Sequence, residues 1–243
     1  MTLQGRTILV TGAAKRVGHA IALCLAGEGA RIIVHHRSSP AEAERALSDI
    51  RSAGGAGLVE RADLSDAGEV RALVERLDRA GTPVDALVNS ASIFHPTPLE
   101  TVDEAQWDAF QDANLRGPFL LSTLLGLRMR SRGWGRIVNI ADWSGLRPYR
   151  GYVPYCVSKG GLITLTKALA RDLAPSVLVN AVAPGPVLPP PDMPAEERER
   201  AAARTLVGRW GSPGDIASAV KFVLSSTYLN GTVLCVDGGR SIA

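Results

Sequence analysis

Short, nearly continuous apolar runs alternate along this chain with segments of helical period, and that alternation narrows the possible folds most. Ile8-Leu9-Val10, Ile32-Ile33-Val34, Leu58 to Ala62, Ala86-Leu87-Val88, Ile137 to Ile140, Val177 to Val182 and Thr232 to Val236 read as strands. Strands apolar on both faces belong to a parallel sheet covered on both sides, since parallel neighbours need a crossover between them. The intervening segments supply those crossovers. Val17, Ile21, Cys24 and Leu25 recur at helical spacing, and Gly27 and Gly29 close that helix. Helices are predicted over Pro40 to Ala53, Asp66 to Ala80 and Tyr155 to Leu173. Thr101 and Glu104 read as a capping box for a long helix reaching about Arg130, and Ser212-Pro213 as the start of the last helix. The expected class is α/β. It is a Rossmann-type doubly wound parallel sheet of about seven strands with helices on both faces, spanning residues 1–243 as one domain. Pro184 to Pro194 holds six prolines, cannot continue as helix or central strand, and is read as a loop over the active site.

The bulk properties exclude several classes. With 243 residues, 46% of them hydrophobic, the chain has apolar surface enough for one such core. The net charge is +3, and no run of like charge marks a nucleic-acid arm or a membrane-surface helix. No segment approaches the roughly 20 apolar residues that span a bilayer. The start, Met-Thr-Leu-Gln-Gly-Arg, lacks the charged and apolar regions of a signal peptide. Cys24, Cys156 and Cys235 form no Cys-x-x-Cys pair and are expected as free thiols in a reducing compartment. The expected setting is cytoplasmic. No His/Asp/Glu cluster argues for a metal, and none is expected.

The first strand runs into Thr11-Gly12-Ala13-Ala14-Lys15-Arg16-Val17-Gly18. A glycine turn ahead of a helix lets the backbone approach a pyrophosphate and aims free N–H groups and the positive helix end at it. Alone this signal is weak, because Gly12 and Gly18 also serve close packing. The second strand sharpens it. An acidic residue at its end would bind the ribose 2′-hydroxyl of NAD, but the strand ends in His35-His36-Arg37-Ser38. Arg37 and Ser38, with Arg16 from the turn, suit a 2′-phosphate, since a guanidinium donates two parallel charge-assisted bonds. The expected cofactor is therefore NADPH/NADP+. Asp63 either contacts the adenine or closes a turn.

Tyr155 and Lys159 lie four residues apart, one helical turn, on the same face. An ammonium beside a phenol favours the phenolate, so the expectation is a Tyr155 pKa lowered toward neutrality. Asp142 lies 13 residues before the tyrosine.

Over nearly its full length the chain resembles the short-chain dehydrogenase/reductase family. The resemblance rests on Thr11-Gly12 to Gly18, Asp63-Leu64, Asn89-Ser90-Ala91, Asn114, Tyr155-x-x-x-Lys159, Pro184-Gly185 and Asp237-Gly238-Gly239. It implies cofactor contacts at Gly12, Arg16, Val17, Gly18, His36, Arg37, Ser38, Asp63, Leu64, Asn89, Ala91, Ser92, Pro184 and Gly185. It implies that Lys159, with Tyr155, also holds the nicotinamide ribose and that Asn114 anchors a water in a proton relay. Two departures, arginine at Arg16 for the usual glycine and Asp142 for the usual serine, resemble the pteridine reductases within that family. So do His36-Arg37-Ser38 and the segment Asn89 to Leu99. That resemblance implies a pterin sandwiched between nicotinamide and Phe94, with Ser92 beside it and Asp142 and Tyr155 delivering a proton.

The expected activity is hydride transfer from NADPH to a pterin of the dihydropterin or dihydrobiopterin kind, with folates as further candidates. The alternative is an NADPH-dependent carbonyl reductase of a 3-oxoacyl thioester or a small ketone, against which Asp142 counts. A nucleotide-binding scaffold without catalysis would have lost Tyr155 or Lys159, and both are present. By resemblance the assembly is a homotetramer, with the helices around Gln106–Arg130 and Tyr155–Leu173 at its interfaces. Arg240 is then placed to reach a neighbouring subunit's site.

Overall fold

The computed structural model describes residues 2–189 and 193–243. β1 (Thr7–Val10) leads into α1 (Arg16–Gly27), β2 (Arg31–His36) into α2 (Pro40–Ser52), and β3 (Ala56–Arg61) into α3 (Ala67–Arg79). β4 (Ala86–Asn89) leads into α4 (Glu104–Gln111), which passes through a π turn (Asp112–Arg116) into α5 (Gly117–Ser131). β5 (Gly135–Ile140) is followed by a short 3-10 turn (Trp143–Gly145), α6 (Val153–Asp172), β6 (Val177–Pro184), α7 (Ala195–Ala203), α8 (Pro213–Ser225) and β7 (Val233–Val236).

The strands form one sheet in the order β3-β2-β1-β4-β5-β6-β7, and every pairing is parallel. This is the doubly wound sheet expected from the apolar runs. Within each run successive side chains face opposite layers. Ile8 and Val10 pack with α1, α2 and α8, while Leu9 packs with α3, α5 and the C-terminal part of α6. A one-residue slip would exchange the two faces, so the register of Leu9 with Ile33 and Leu87 ties both layers together.

Three local expectations are corrected. The capping box before α4 is Asp103 with Gln106, in place of Thr101 with Glu104. Asp103 has the extended backbone of an N-cap, and its carboxylate accepts from the N3 amide as a capping residue must. The long helix is not continuous either, since the π turn carries an extra residue and buries Asn114. Strand β6 runs on through Pro184, which pairs with Val236. Proline is tolerated there because it is the last residue of the strand, where a missing N–H interrupts nothing beyond it. Residues 190–192 of the proline-rich stretch lie outside the described residues. Helix α7 was not legible because its residues, AEERERAAA, carry no apolar stripe and none of them is buried.

The winding order reverses between the parallel strands β1 and β4, so the connections leaving their C-terminal ends part and leave a crevice. Two polar side chains brace its floor. The Thr11 hydroxyl accepts from the Ser90 and Ala91 amides, both at 2.9 Å. The His35 imidazole bridges the Gly12 amide (3.3 Å at Nδ1) and the Ala62 carbonyl (3.1 Å at Nε2). A carbonyl only accepts, so Nε2 carries the proton and Nδ1 receives the Gly12 N–H. Burial pushes this imidazole down to about 4, opposed by its bond to the Ala62 carbonyl.

Between pH 6.5 and 4 the folded protein therefore binds fewer protons at His35 than the unfolded chain does. Stability rises with pH across that window and is lost as pH falls through it, by roughly 3 kcal/mol at most. Urea unfolding of wild type and His35→Gln at pH 7 and pH 4.5 measures this. The wild type is expected to lose more stability on acidification than the variant, and equal losses would remove His35 as the titrating strut.

Candidate active site

The crevice is a cleft of about 430 Å³. Of the predicted site residues, it brings together Gly12, Arg16, Val17, Gly18, Arg37, Asp63, Leu64, Ala91, Ser92, Phe94, Asp142, Tyr155, Lys159, Pro184 and Gly185. His36, Ser38, Asn89 and Asn114 do not border it.

The turn into α1 is built for close approach. Gly12 has φ +66, and a Cβ there would stand 3.0 Å from the Ala91 backbone. A Cβ on Gly18 would overlap the Gly12 carbonyl, so this glycine serves packing of the turn. Lys15 caps α1 without a side-chain bond, and the first turn holds no acidic residue. The opening N–H groups and the positive helix end therefore face the cleft unneutralised. Arg37 is exposed at the end of β2 beside Ser38.

Arg16 is the one non-glycine residue with positive φ among the described residues, 56°, a conformation that costs an L-residue roughly 1–2 kcal/mol. Its guanidinium reaches the Leu188 carbonyl at 3.4 Å. The basic residue of the turn that lies toward α2 is Lys15, paired with Glu42 at 2.9 Å. His36 does not border the cleft. Its ring is buried and accepts from the Ser39 amide at 3.3 Å, while His35 lines the cleft. Side chains alternate along β2, so only one of the two histidines can face the Gly12 turn. Asn89 lies within the sheet. Its amide donates to Ser122 Oγ (3.0 Å) and Asn139 Oδ1 (2.8 Å), and Asn139 donates to Thr166 (2.9 Å), which ties α6 to the sheet.

Asn114 acts as a clamp. Its Oδ1 accepts from the Ile93 amide (2.9 Å) and Ser92 Oγ (3.1 Å), and its Nδ2 donates to the Ile93 carbonyl (3.1 Å) and Ser158 Oγ (3.2 Å). The buried side chain thus holds the Ser92–Phe94 segment against α6. Phe94 stacks on Tyr152 with ring centres 4.9 Å apart and meets the Tyr155 ring edge-on, also at 4.9 Å. Tyr152 was not singled out by sequence, although its position three residues before Tyr155 is a same-face helical spacing.

The reactive centre is a chain of three ionisable groups. The Tyr155 hydroxyl donates to Asp142 Oδ2 at 3.0 Å, and Asp142 Oδ1 accepts from the Ser144 amide at 2.8 Å. Lys159 is buried and donates to the Ile140 carbonyl at 2.9 Å, its Nζ lying 5.6 Å from the Tyr155 ring centre. Ile140 was invisible to motif reasoning because it acts through its backbone.

The protonation of Tyr155 differs from expectation. Tyr155 is raised well above the usual phenol range, first by burial and then by the neighbouring Asp142 carboxyl. Asp142 is itself raised, because burial outweighs its hydrogen bonds and the pull of Lys159. A carboxyl hydrogen-bonded to a phenol stabilises the neutral phenol, which here overrides the ammonium one turn away. The pair is thus a proton store.

The Arg240 guanidinium lies over the Trp143 ring, 4.6 Å from the centre.

A family model described as Enoyl-(Acyl carrier protein) reductase matches residues 12–241. The chain is 34% identical to a 3-oxoacyl-(acyl-carrier-protein) reductase of Thermotoga maritima, covering 100% of both chains. Among solved structures it is similar to a gluconate 5-dehydrogenase from Burkholderia cenocepacia in complex with NADP and tartrate. That match has TM-score 0.93 and 30% identity, covering 100% of this chain and 97% of the other. It is similar also to FolM Alternative dihydrofolate reductase 1 from Brucella canis complexed with NADP. Here the TM-score is 0.92 and the identity 31%, covering 100% of this chain and 96% of the other.

Burial pushes the Lys159 ammonium down to about 8, opposed by Asp142. The chain has four lysines, Lys15, Lys159, Lys167 and Lys221, so each can be followed by NMR of 13C-lysine-labelled protein. One resonance, absent in Lys159→Met, is expected to titrate near pH 8. No lysine resonance titrating near pH 8 would contradict the dry environment of Lys159.

Proposed function

Because the chain belongs to the short-chain dehydrogenase/reductase family, we propose that it is an NADPH-dependent reductase whose geometry best fits a pterin-like heterocycle. The reading rests on one observation, the 3.0 Å bond between the Tyr155 hydroxyl and the Asp142 carboxyl. A ketone oxygen needs one hydroxyl donor. A pterin ring presents several nitrogens and a C=N bond, for which a second acid-base group is useful.

The residues present fit the cofactor. The turn of Gly12 leaves N–H groups open for a pyrophosphate, with Val17 and Gly18 starting the helix behind it. Arg37, with Ser38, meets the 2′-phosphate. Asp63 and Leu64 border the adenine, and Asp63 holds its own turn through Ser65 at 2.6 Å. Ala91, Ser92, Pro184 and Gly185 frame the nicotinamide end, and Tyr155 and Lys159 hold its ribose. Reduced nicotinamide, when bound, supplies the hydride. Phe94 covers the substrate ring, Tyr155 gives its proton to the reduced heterocycle, and Asp142 replaces that proton. Lys159 keeps a positive charge behind the phenol, and Asn114 keeps the Ser92–Phe94 wall in place.

Two similar structures complexed with NADP support the choice of cofactor, and the similarity to FolM supports the pterin. A second reading has its own observation. Relatives from Thermotoga maritima, Synechocystis and Staphylococcus aureus are 3-oxoacyl-(acyl-carrier-protein) reductases, and they favour reduction of a 3-oxoacyl thioester over reduction of a pterin. The homotetramer belongs to this proposal too. It is supported by large apolar side chains left exposed on α4, α5 and α6, namely Trp107, Phe119, Leu127, Val153 and Val157.

Steady-state rates with dihydrobiopterin and with an acetoacetyl thioester decide between the two substrates. Asp142→Asn is expected to slow dihydropterin reduction by about 100-fold, the lower range for a lost acid-base group. Turnover of the thioester alone would replace the pterin reading by the carbonyl one. For the cofactor, Arg37→Ala should raise the KM of NADPH by roughly tenfold, the size of one charge-assisted contact. The same variant should leave NADH unchanged, and equal losses for both would show that Arg37 does not meet the 2′-phosphate.

A further inference from the structure

The two acids of the reactive centre come from different elements. Tyr155 lies on α6, while Asp142 opens the 3-10 turn Trp143–Gly145. Their 3.0 Å bond therefore depends on how closely that turn packs on the helix. The turn is braced from within. The Ser144 amide donates to Asp142 Oδ1 at 2.8 Å, and the Gly145 amide donates to the Asp142 carbonyl at 3.0 Å. Asp142 is thus held to the turn through both its side chain and its backbone.

Gly145 is where the turn meets α6. A Cβ built on it would stand 2.9 Å from the Lys159 carbonyl carbon, 3.0 Å from the Gly160 amide nitrogen and 2.9 Å from Ile163 Cδ1. The first two are main-chain atoms of a helix and cannot rotate aside, and a packed interior absorbs an added methyl only by shifting. Gly145 is not among the glycines with positive φ, so space calls for glycine here, and backbone conformation does not. The residue opposite makes no such demand. A Cβ on Gly160 would meet the Gly145 oxygen at 3.5 Å, an ordinary contact. On the other side of Asp142, the Lys159 ammonium ties α6 to the Ile140 carbonyl at 2.9 Å. Helix and turn are therefore joined both before and after the carboxyl.

We infer that Gly145 is a positioning residue: its bare Cα seats the Asp142 turn on the α6 backbone and so sets the distance between the Asp142 carboxyl and the Tyr155 hydroxyl. Its effect on turnover rests on the reading of these two groups as the proton pair, whereas the seat itself is read in the free protein.

The chain has four tyrosines, Tyr149, Tyr152, Tyr155 and Tyr228, so 13C-tyrosine NMR follows the phenol, with Tyr155→Phe identifying its resonance. Gly145→Ala is expected to carry that resonance toward its position in Asp142→Ala, and Gly160→Ala should leave it in place. An unmoved resonance in Gly145→Ala, or an equal movement in Gly160→Ala, would overturn the seat. Gly145→Ala/Ile163→Val covers the case in which the single variant does not fold. It removes the Ile163 Cδ1 contact and leaves the main-chain ones, so the resonance should still be displaced. A return to the wild-type position would overturn the proposal, since side-chain crowding would then account for the glycine. With dihydrobiopterin or the acetoacetyl thioester, whichever is turned over, Gly145→Ala should lower kcat about tenfold, less than the loss of a whole acid-base group. In an Asp142→Ala background it should add nothing, because the two act as one unit. A further tenfold loss there would show that Gly145 acts elsewhere and would also overturn the proposal. If Asp142→Ala leaves turnover unchanged while the resonance still follows Gly145, the proton-pair reading fails and the seat stands.

Discussion

Two acids stand 3.0 Å apart in a pocket closed to water on most sides, and they cannot both be ionised. That constraint organises the active site. Like charges at such a distance in a poorly screened environment force one proton to stay. Burial raises both Tyr155 and Asp142, so the pair holds a proton more tightly than either group would in water. A site charged in this way suits the reductive direction, in which the substrate gains a proton as well as a hydride. Lys159 adds the one cation that these groups can lean on. It is itself destabilised by burial and anchored by the Ile140 carbonyl.

Much of the surrounding structure keeps those groups aligned. Asn114, turned inward by the π turn, links the Ser92–Phe94 wall to α6 through Ser158. Asn89, Asn139 and Thr166 tie the same helix to the sheet from beneath. Thr11 and His35 brace the opposite wall, where the glycine turn meets the ends of β2 and β4. Buried polar links of this kind are costly when half satisfied and specific when complete. Two residues expected at the cofactor also take part in such links, the Asn89 amide with Ser122 and Asn139 and the His36 ring with the Ser39 amide.

The fold was legible in the sequence because it depends on period and punctuation. Runs such as Ile32-Ile33-Val34 can be buried on both faces only in a covered parallel sheet, and Gly27, Gly29 and Ser212-Pro213 mark helix ends by local chemistry. Where local signals competed, the reading slipped. Thr101 and Asp103 both offer a capping oxygen, and only the path of the chain into α4 selects Asp103. Helix α7 has no apolar stripe to find, and the π turn depends on how Asn114 is buried. The site was legible to the same degree. Tyr155, Lys159, Asp142 and Phe94 announced themselves by type and spacing, and the cleft brings them together.

The sequence by itself determined the doubly wound sheet, the glycine turn, the basic end of β2 and the pairing of Tyr155 with Lys159 on one helical face. These follow from residue type and from neighbours a few positions away. Tertiary structure alone decided the direction of the Tyr155 shift, the choice of His35 over His36, the reach of Arg16 to Leu188 and the place of Arg240 over Trp143. The physical reason is common to all four. Burial and long-range contact set electrostatics and side-chain partners, and neither is encoded in the spacing of residues along the chain.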